Sequence, residues 1–513
     1  MASEDVDTIY RVRSHAEKAV CAAFGRSKRN AIGYSQSLLK FYTKEIRIMR
    51  YTLVALLAVM MVGIAVPAFA QLQNVEVGGS IRIRGNYYSV DAPGMIGVDS
   101  DNYASNANVE QRTTVNVKAD FADDVTAFIE LDALNNWGDD FREDTLTGQA
   151  NLGNSNSFFD RAPSSSSSAN LTNVNLYQAY IETRETGGYP VTLRIGRQEI
   201  QFGSEWLVGN NDTAANFTGL SFDGITARYD ADSWNATALW VKLAENRAIE
   251  QDIDNDLYGI YASYTGFEDI VVDAYWFYAR LAGVGNDGLG RGISASFSPD
   301  TIELHTIGLR AAGTYGQFDF EVEAAYQTGK VFDGVSASGI AVRGLGASDV
   351  DFDAIGANVE VGYTFDSNYQ PRVFIGAAYF EGPDDNDLGF NRLYSDWEYS
   401  EILGNTDLSN LLILRAGASA EVTEKVGVSG VVSWFQADEE LGNNDDDIGW
   451  ELGLYATYQY SEDLYFEVGY ARFFSGDGIA DGNLIGANGL SVVGGSGDDE
   501  DVDYVYIETG ISF

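Results

Sequence analysis

The chain has 513 residues, 76 of them acidic and 32 basic, and a formal net charge of −44, which excludes nucleic-acid binding as its default business. Residues 1–70 hold ten basic and five acidic residues, so the remainder carries 22 Lys and Arg against 71 Asp and Glu, a net charge near −49. The single cysteine, Cys21, lies in that first stretch, so a disulfide framework or thiolate chemistry in the rest is excluded as well.

Residues 1–48 are polar and mixed in charge, and read as an upstream extension or as the product of a start codon placed too early. Met49 and Arg50 then precede an apolar run from Tyr51 to Val66, followed by Pro67-Ala68-Phe69-Ala70 ahead of Gln71. A basic start, an apolar centre and an Ala-x-Ala site make 49–70 a secretory signal peptide cleaved after Ala70. Its apolar core is short for a spanning helix. Residues 71–513 read as one domain. A first strand over 75–88 begins so soon after the cleavage site that no plug domain fits before it, which disfavours a TonB-dependent transporter.

From residue 75 to the end, strand-like segments are joined alternately by short and long connections. The short joints are 121–124, 186–189, 230–232, 267–269, 316, 366–368, 423–425 and 461–463. The long ones are 91–107, 138–170, 203–217, 245–254, 283–300, 330–349, 383–407, 441–446 and 475–501. This asymmetry is that of an outer-membrane barrel with short periplasmic turns and long outer loops. The expected fold is all-β, a transmembrane up-and-down antiparallel β-barrel of about 18 strands. Proline is absent from strand centres, where it would remove a ladder hydrogen bond: Pro93, Pro163, Pro299 and Pro383 fall in long loops, Pro190 and Pro371 just after short turns.

The most specific motif runs through Leu193-Arg194-Ile195-Gly196-Arg197-Gln198-Glu199-Ile200-Gln201-Phe202-Gly203, and continues by Trp206 to Ser221-Phe222-Asp223-Gly224-Ile225. Gly196 and Gly203 leave space for a loop to fold back against the wall. Arg197 and Gln198 offer planar donors, and Asp223 on the next strand is a partner for Arg197. This cluster either fastens the loop to the barrel or touches a solute. Over about 35 residues it resembles the alginate-export family of outer-membrane porins. The resemblance implies an 18-stranded barrel that passes hydrophilic solutes passively, including anionic and saccharide-like ones, without enzymatic activity or a cofactor. It also implies a pore lined by arginine.

Residues 318–327 alternate strictly, with Phe318, Phe320, Val322, Ala324 and Tyr326 on one face and Asp319, Glu321, Glu323 and Gln327 on the other. A soluble sandwich alternates too. Strands longer than the usual ~5–6 residues, and aromatic residues gathered at strand ends such as Trp137, Trp206, Trp234, Trp276 and Trp450, favour the membrane. A charged Arg or Lys facing lipid at the midplane would cost ~2–4 kcal/mol, so the charged face is assigned to the lumen. Its basic candidates are Arg82, Arg84, Arg112, Lys118, Arg184, Arg194, Arg310, Arg372 and Arg415. Its acidic candidates are Glu110, Glu130, Asp132, Glu182, Glu321, Glu323, Glu360, Glu421, Glu451, Glu467 and Glu508. Such a mixed lining gives a transverse field that orients polar solutes, a network of wall ion pairs, or both. Closure brings the first strand beside the last, so Arg82 and Arg84 are expected to meet Glu508.

Acidic runs at 252–256, 443–447 and 498–501 read as solvated loop charge, with Ca²⁺ or divalent bridges to lipopolysaccharide as the alternative. The serine run 164–168 reads as flexible linker. The one histidine after residue 70, His305, has no nucleophile-elbow motif to serve, which argues against a hydrolase. An adhesin or structural barrel acting through its acidic loops is the other reading kept open. The chain ends on an amphipathic strand closed by Phe513, which resembles the signal that hands outer-membrane barrels to their assembly machinery. Outer-membrane lipid, that machinery and a small hydrophilic solute or polysaccharide are thus the expected partners, in a Gram-negative outer membrane.

Overall fold

The computed structural model describes residues 72–89, 106–121, 124–137, 174–210, 219–244, 255–282, 301–332, 349–383, 387–403, 408–440, 445–480, 484–486, 492–493 and 500–513. The expected extension and signal peptide, the serine run and residues 252–254, 443–444 and 498–499 of the acidic runs lie outside the described residues.

Among the described residues, eighteen strands form the wall. They are β1 Leu72–Tyr88, β2 Asn106–Phe121, β3 Val125–Asn136, β4 Asn175–Thr183, β5 Val191–Gln198, β6 Phe222–Asp230, β7 Trp234–Ala244, β8 Asn255–Phe267 and β9 Ile270–Ala282. There follow β10 Thr301–Tyr315, β11 Phe318–Phe332, β12 Asp349–Thr364, β13 Arg372–Phe380, β14 Leu411–Thr423, β15 Val426–Ala437, β16 Asp447–Gln459, β17 Leu464–Ser475 and β18 Val502–Ser512. Each pairs antiparallel with the next, as in Tyr315↔Phe318 on β10 and β11 and Phe380↔Leu411 on β13 and β14. β18 returns to β1 with Ser80 opposite Ser512 and Tyr88 opposite Tyr504, so the sheet is closed and has no free edge. Phe513 and Gly79 complete that seam with reciprocal backbone hydrogen bonds of 2.9 and 3.0 Å. Most strands exceed the ~9–11 residues a tilted strand needs to cross a bilayer.

Short turns close one end of the barrel. The tightest, Gly316-Gln317, is a two-residue hairpin loop whose glycine sits at φ +66°, the left-handed conformation that such loops favour at their first residue. The two-residue period then sorts the side chains. Val77, Ile181, Ile195, Ile307, Leu309, Ile375 and Ile507 stand exposed on one face, while Arg84, Arg112, Asp132, Glu323 and Glu508 are buried on the other. The exposed apolar face is the outside of the barrel. Near the short turns it is rimmed by Tyr189, Phe267, Tyr315, Tyr369, Tyr460 and Phe513, and toward the loops by Tyr87, Trp137, Trp240, Trp276 and Trp450. Two aromatic belts flanking an apolar band match the two interfaces of a bilayer.

Candidate functional site

Two connections fold into the barrel. The first links β5 to β6 and is described at 199–210 and 219–221; the second links β13 to β14 and is described at 381–383, 387–403 and 408–410. Glycines let the first lie against the wall. Gly203 has φ +59°, and a Cβ there would stand 2.7 Å from the Tyr261 hydroxyl and 3.0 Å from Cδ of Arg310. Gly219 has φ +73°, and a Cβ would meet Arg112 at 2.4 Å and Tyr177 at 2.6 Å. Any larger residue at either position would be strained by the left-handed backbone and would have to displace these side chains.

Inside the barrel the two connections join. Gly209 donates to the Tyr394 carbonyl at 2.9 Å, Tyr394 to the Leu207 carbonyl at 2.8 Å and Asp396 to the Glu205 carbonyl at 2.8 Å. Trp206, with no exposed surface, packs against Phe380 and Phe390 at centroid distances of 5.8 and 5.9 Å. Its Nε1 donates to the Tyr399 hydroxyl at 3.0 Å, which in turn donates to Oδ1 of Asn358 on β12 at 2.9 Å. A relay of side chains thus runs from one connection through the other to the wall.

The second connection is fastened by polar groups that match its backbone. Gln327 of β11 and Asn391 exchange two bonds, at 2.6 and 2.7 Å. Arg392, buried, donates to the Ser395 hydroxyl at 3.0 Å and the Trp397 carbonyl at 2.9 Å, and lies over the rings of Phe380 and Tyr399. The Glu451 carboxylate of β16 accepts from the Ser400 hydroxyl at 2.5 Å and from the backbone of Glu401 at 2.9 Å and Ile402 at 3.2 Å. Burial, with the carboxylates of Glu398 and Glu451 close by, pushes the Glu401 carboxyl up to about 8.

Around this constriction the expected arginines face inward, all but Arg415 in ion pairs with carboxylates. Glu508 stands opposite Arg84 across the seam, with Oε2 2.7 Å from Arg84, and Oε1 3.3 Å from Arg82. Arg112 approaches Asp132 at 3.4 Å and lies over the Tyr177 ring. Arg194 binds Glu182 at 2.8 Å, and Arg184, past the end of β4, binds the same carboxylate at 3.1 Å. Arg310 joins Asp273 at 2.7 Å and Glu321 at 2.9 Å, and Arg372 joins Asp319 and Glu360 at 2.5 and 2.9 Å. Lys118 sits near the short-turn end, 3.5 Å from Glu76 and 3.4 Å from Asp120. Arg415 lies over the Tyr399 and Phe374 rings. Gln198 is buried on the inward side, donating to the Gly224 carbonyl at 3.2 Å and accepting from Thr226 at 2.9 Å.

Arg197 and Asp223 correct the expectation of a lumen site. They stand opposite each other in the register that also pairs Ile195 with Ile225, and therefore share the outer face. With Arg194 inward, the residue three positions on must point the other way. They form a two-pronged ion pair at 2.6 and 2.8 Å on the exposed outer surface near the loop end. Gly196 likewise makes room for a neighbouring strand, not for a loop: a Cβ there would stand 2.2 Å from the Ala179 carbonyl oxygen. His305 is a wall residue, 4.4 Å from the Tyr278 ring and accepting from Trp276 at 3.3 Å.

The sequence reading missed the inward course of the second connection, and with it Phe380, Phe390, Arg392, Tyr399 and Asn358, and it placed Trp206 in the interfacial aromatic girdle, whereas the first connection carries this residue inside the barrel with no exposed surface. A signal was present. Residues 388–403 hold Leu388, Phe390, Leu393, Tyr394, Trp397, Tyr399, Ile402 and Leu403, far more apolar surface than a solvated loop has reason to carry. Metal binding by the acidic runs finds no support among the described residues, where no group of three or more His, Cys, Asp or Glu has metal-holding geometry.

A family model described as "Alginate export" matches residues 73–486. No curated protein matches the chain by sequence. Among solved structures, the chain is similar to OccAB1 of Acinetobacter baumannii, at 13% identity and a TM-score of 0.51, covering 85% of this chain and 96% of that one. It is also similar to OccK8 (OprE) of Pseudomonas aeruginosa, at 12% identity and a TM-score of 0.50, covering 85% and 98%. At these identities the likeness speaks for the fold.

Proposed function

The chain belongs to the alginate-export family of β-barrels, and from that premise we propose that it is an outer-membrane channel passing hydrophilic solutes passively down their gradient. The observation that carries this is the sorting of the wall: an apolar, aromatic-bounded outside, a charged inside, and two connections that narrow the interior. A structural barrel would have no need to hold buried charge at a constriction. Fixed charges and hydrogen-bonding groups around a narrowed path select solutes by size and charge. No step of bond making is assigned to it. The cell is a Gram-negative bacterium in this reading, and Phe513 is the group offered to the assembly machinery. The loops meet lipopolysaccharide outside.

Two measurements test this. Liposomes holding the refolded barrel should swell in neutral sugars, faster for small ones than for large; folded protein that admits no sugar of any size would favour the adhesin reading through the long acidic loops. N-terminal sequencing of outer-membrane material should begin at Gln71, and a chain that retains residues 1–48 would refute the signal-peptide assignment.

A further inference from the structure

The family's description concerns a polyanion, and a polyanion needs unoccupied positive groups along its path. Among the described residues, the interior of this barrel does not offer them between β9 and β13. There, two guanidinium groups, Arg310 and Arg372, stand among five inward carboxylates, Asp273, Asp319, Glu321, Glu323 and Glu360. Arg372 is engaged by Asp319 and Glu360, and Arg310 by Asp273 and Glu321. Glu321 and Glu360 face each other directly in the strand register, a like-charge pair that an unbiased wall would avoid. Across the barrel the same occurs with Glu467 opposite Glu508.

A second observation is independent of this register. Oδ1 of Asp273 and Oε2 of Glu323 are buried oxygens with no hydrogen-bond partner, on side chains 1% and 4% exposed. Arg310 stands 3.8 Å from that Glu323 oxygen, too far for a hydrogen bond. Such carboxylates add negative potential to this stretch of wall wherever they are ionised, because the low-dielectric surroundings screen them little, although burial itself opposes the ionised form. Glu321 and Glu360 are partly open, so their charge reaches the path itself.

We infer that this channel selects cations over anions, with Asp273, Glu321, Glu323 and Glu360 of β9, β11 and β12 as the residues that set the preference. The inference rests on the channel reading. It names cationic and neutral hydrophilic solutes as the favoured class, and polyuronates as disfavoured.

Reversal potentials in planar bilayers under a KCl gradient decide it. Wild-type protein should reverse on the potassium side of zero. Glu321→Gln and Glu360→Gln, at partly open positions that tolerate the change, should each move the potential toward zero, and the double variant further. Glu323→Gln should do the same if its folding, checked by heat-modifiable gel migration, is preserved. Glu424→Gln, at a short turn, should leave it unmoved. Chloride preference in the wild type, or potentials that neither Glu321→Gln nor Glu360→Gln shifts, would overturn the inference while leaving the channel intact. Folded protein that never conducts would instead remove the channel reading, and this inference with it.

Discussion

Burial decides what each ion pair in this wall is worth. Arg84 and Glu508 close the seam with side chains 3% and 4% exposed, whereas Arg197 and Asp223, of equally good geometry, are about half exposed on the outer surface. Removing one partner of a buried pair costs ~3–5 kcal/mol because the other charge is left uncompensated, while an exposed pair contributes ~0–1 kcal/mol. Glu508→Gln should therefore lower the temperature at which the barrel converts to its unfolded band on gels, and shift ion selectivity toward anions. Arg197→Ala should change neither measurably. Equal effects of the two substitutions would contradict the burial argument. The placement of Arg197 was legible in advance: parity along a strand forbids Arg194 and Arg197 from sharing a face.

At the scale of elements, the strands and the fold-back of the first connection at Gly203 were legible, and the joining of the two connections inside the barrel was not. Strand period and turn residues are local, so the joints at 316 and 267–269 coincide with the observed turns at Gly316 and Asp269. The course of 199–210 and 387–403 is set by non-local contacts, Trp206 with Tyr399 and Gln327 with Asn391, which no window of sequence contains. Trp206 joins the two connections, and truncating a buried Trp costs ~3–5 kcal/mol where the site cannot collapse. Trp206→Ala should loosen the pair and give larger, noisier conductance from a barrel that still migrates as folded. Tyr399→Phe, which removes only a hydroxyl worth ~0.5–1.5 kcal/mol, should give a smaller change in the same direction. Unchanged conductance in Trp206→Ala would show that these connections do not narrow the path.

Glu401 adds a dependence on pH. Its folded value, about 8, lies above that of an exposed glutamate, so the folded connection holds a proton that the loosened one releases. The stabilisation this gives is complete below the ordinary glutamate range and is lost as pH rises toward and through 8. Current noise should therefore increase across that window, and Glu401→Gln should weaken the dependence. An increase in noise on acidification would have the wrong sign for this group.

The whole molecule follows from one requirement, that no backbone group be left unpaired in lipid, which a closed sheet meets by joining β1 to β18. Around that ring, alternate side chains have no choice but to face lipid or the interior, and the sequence carries this choice from residue to residue. What remains open to the family is the interior, where the two connections and the carboxylates of β9 to β12 make this barrel particular. Single-channel recording of the purified, refolded protein in planar bilayers tests the central claim most directly. Discrete current steps that rise linearly with voltage are the predicted result, and folded barrels that insert yet remain silent at every voltage would contradict it.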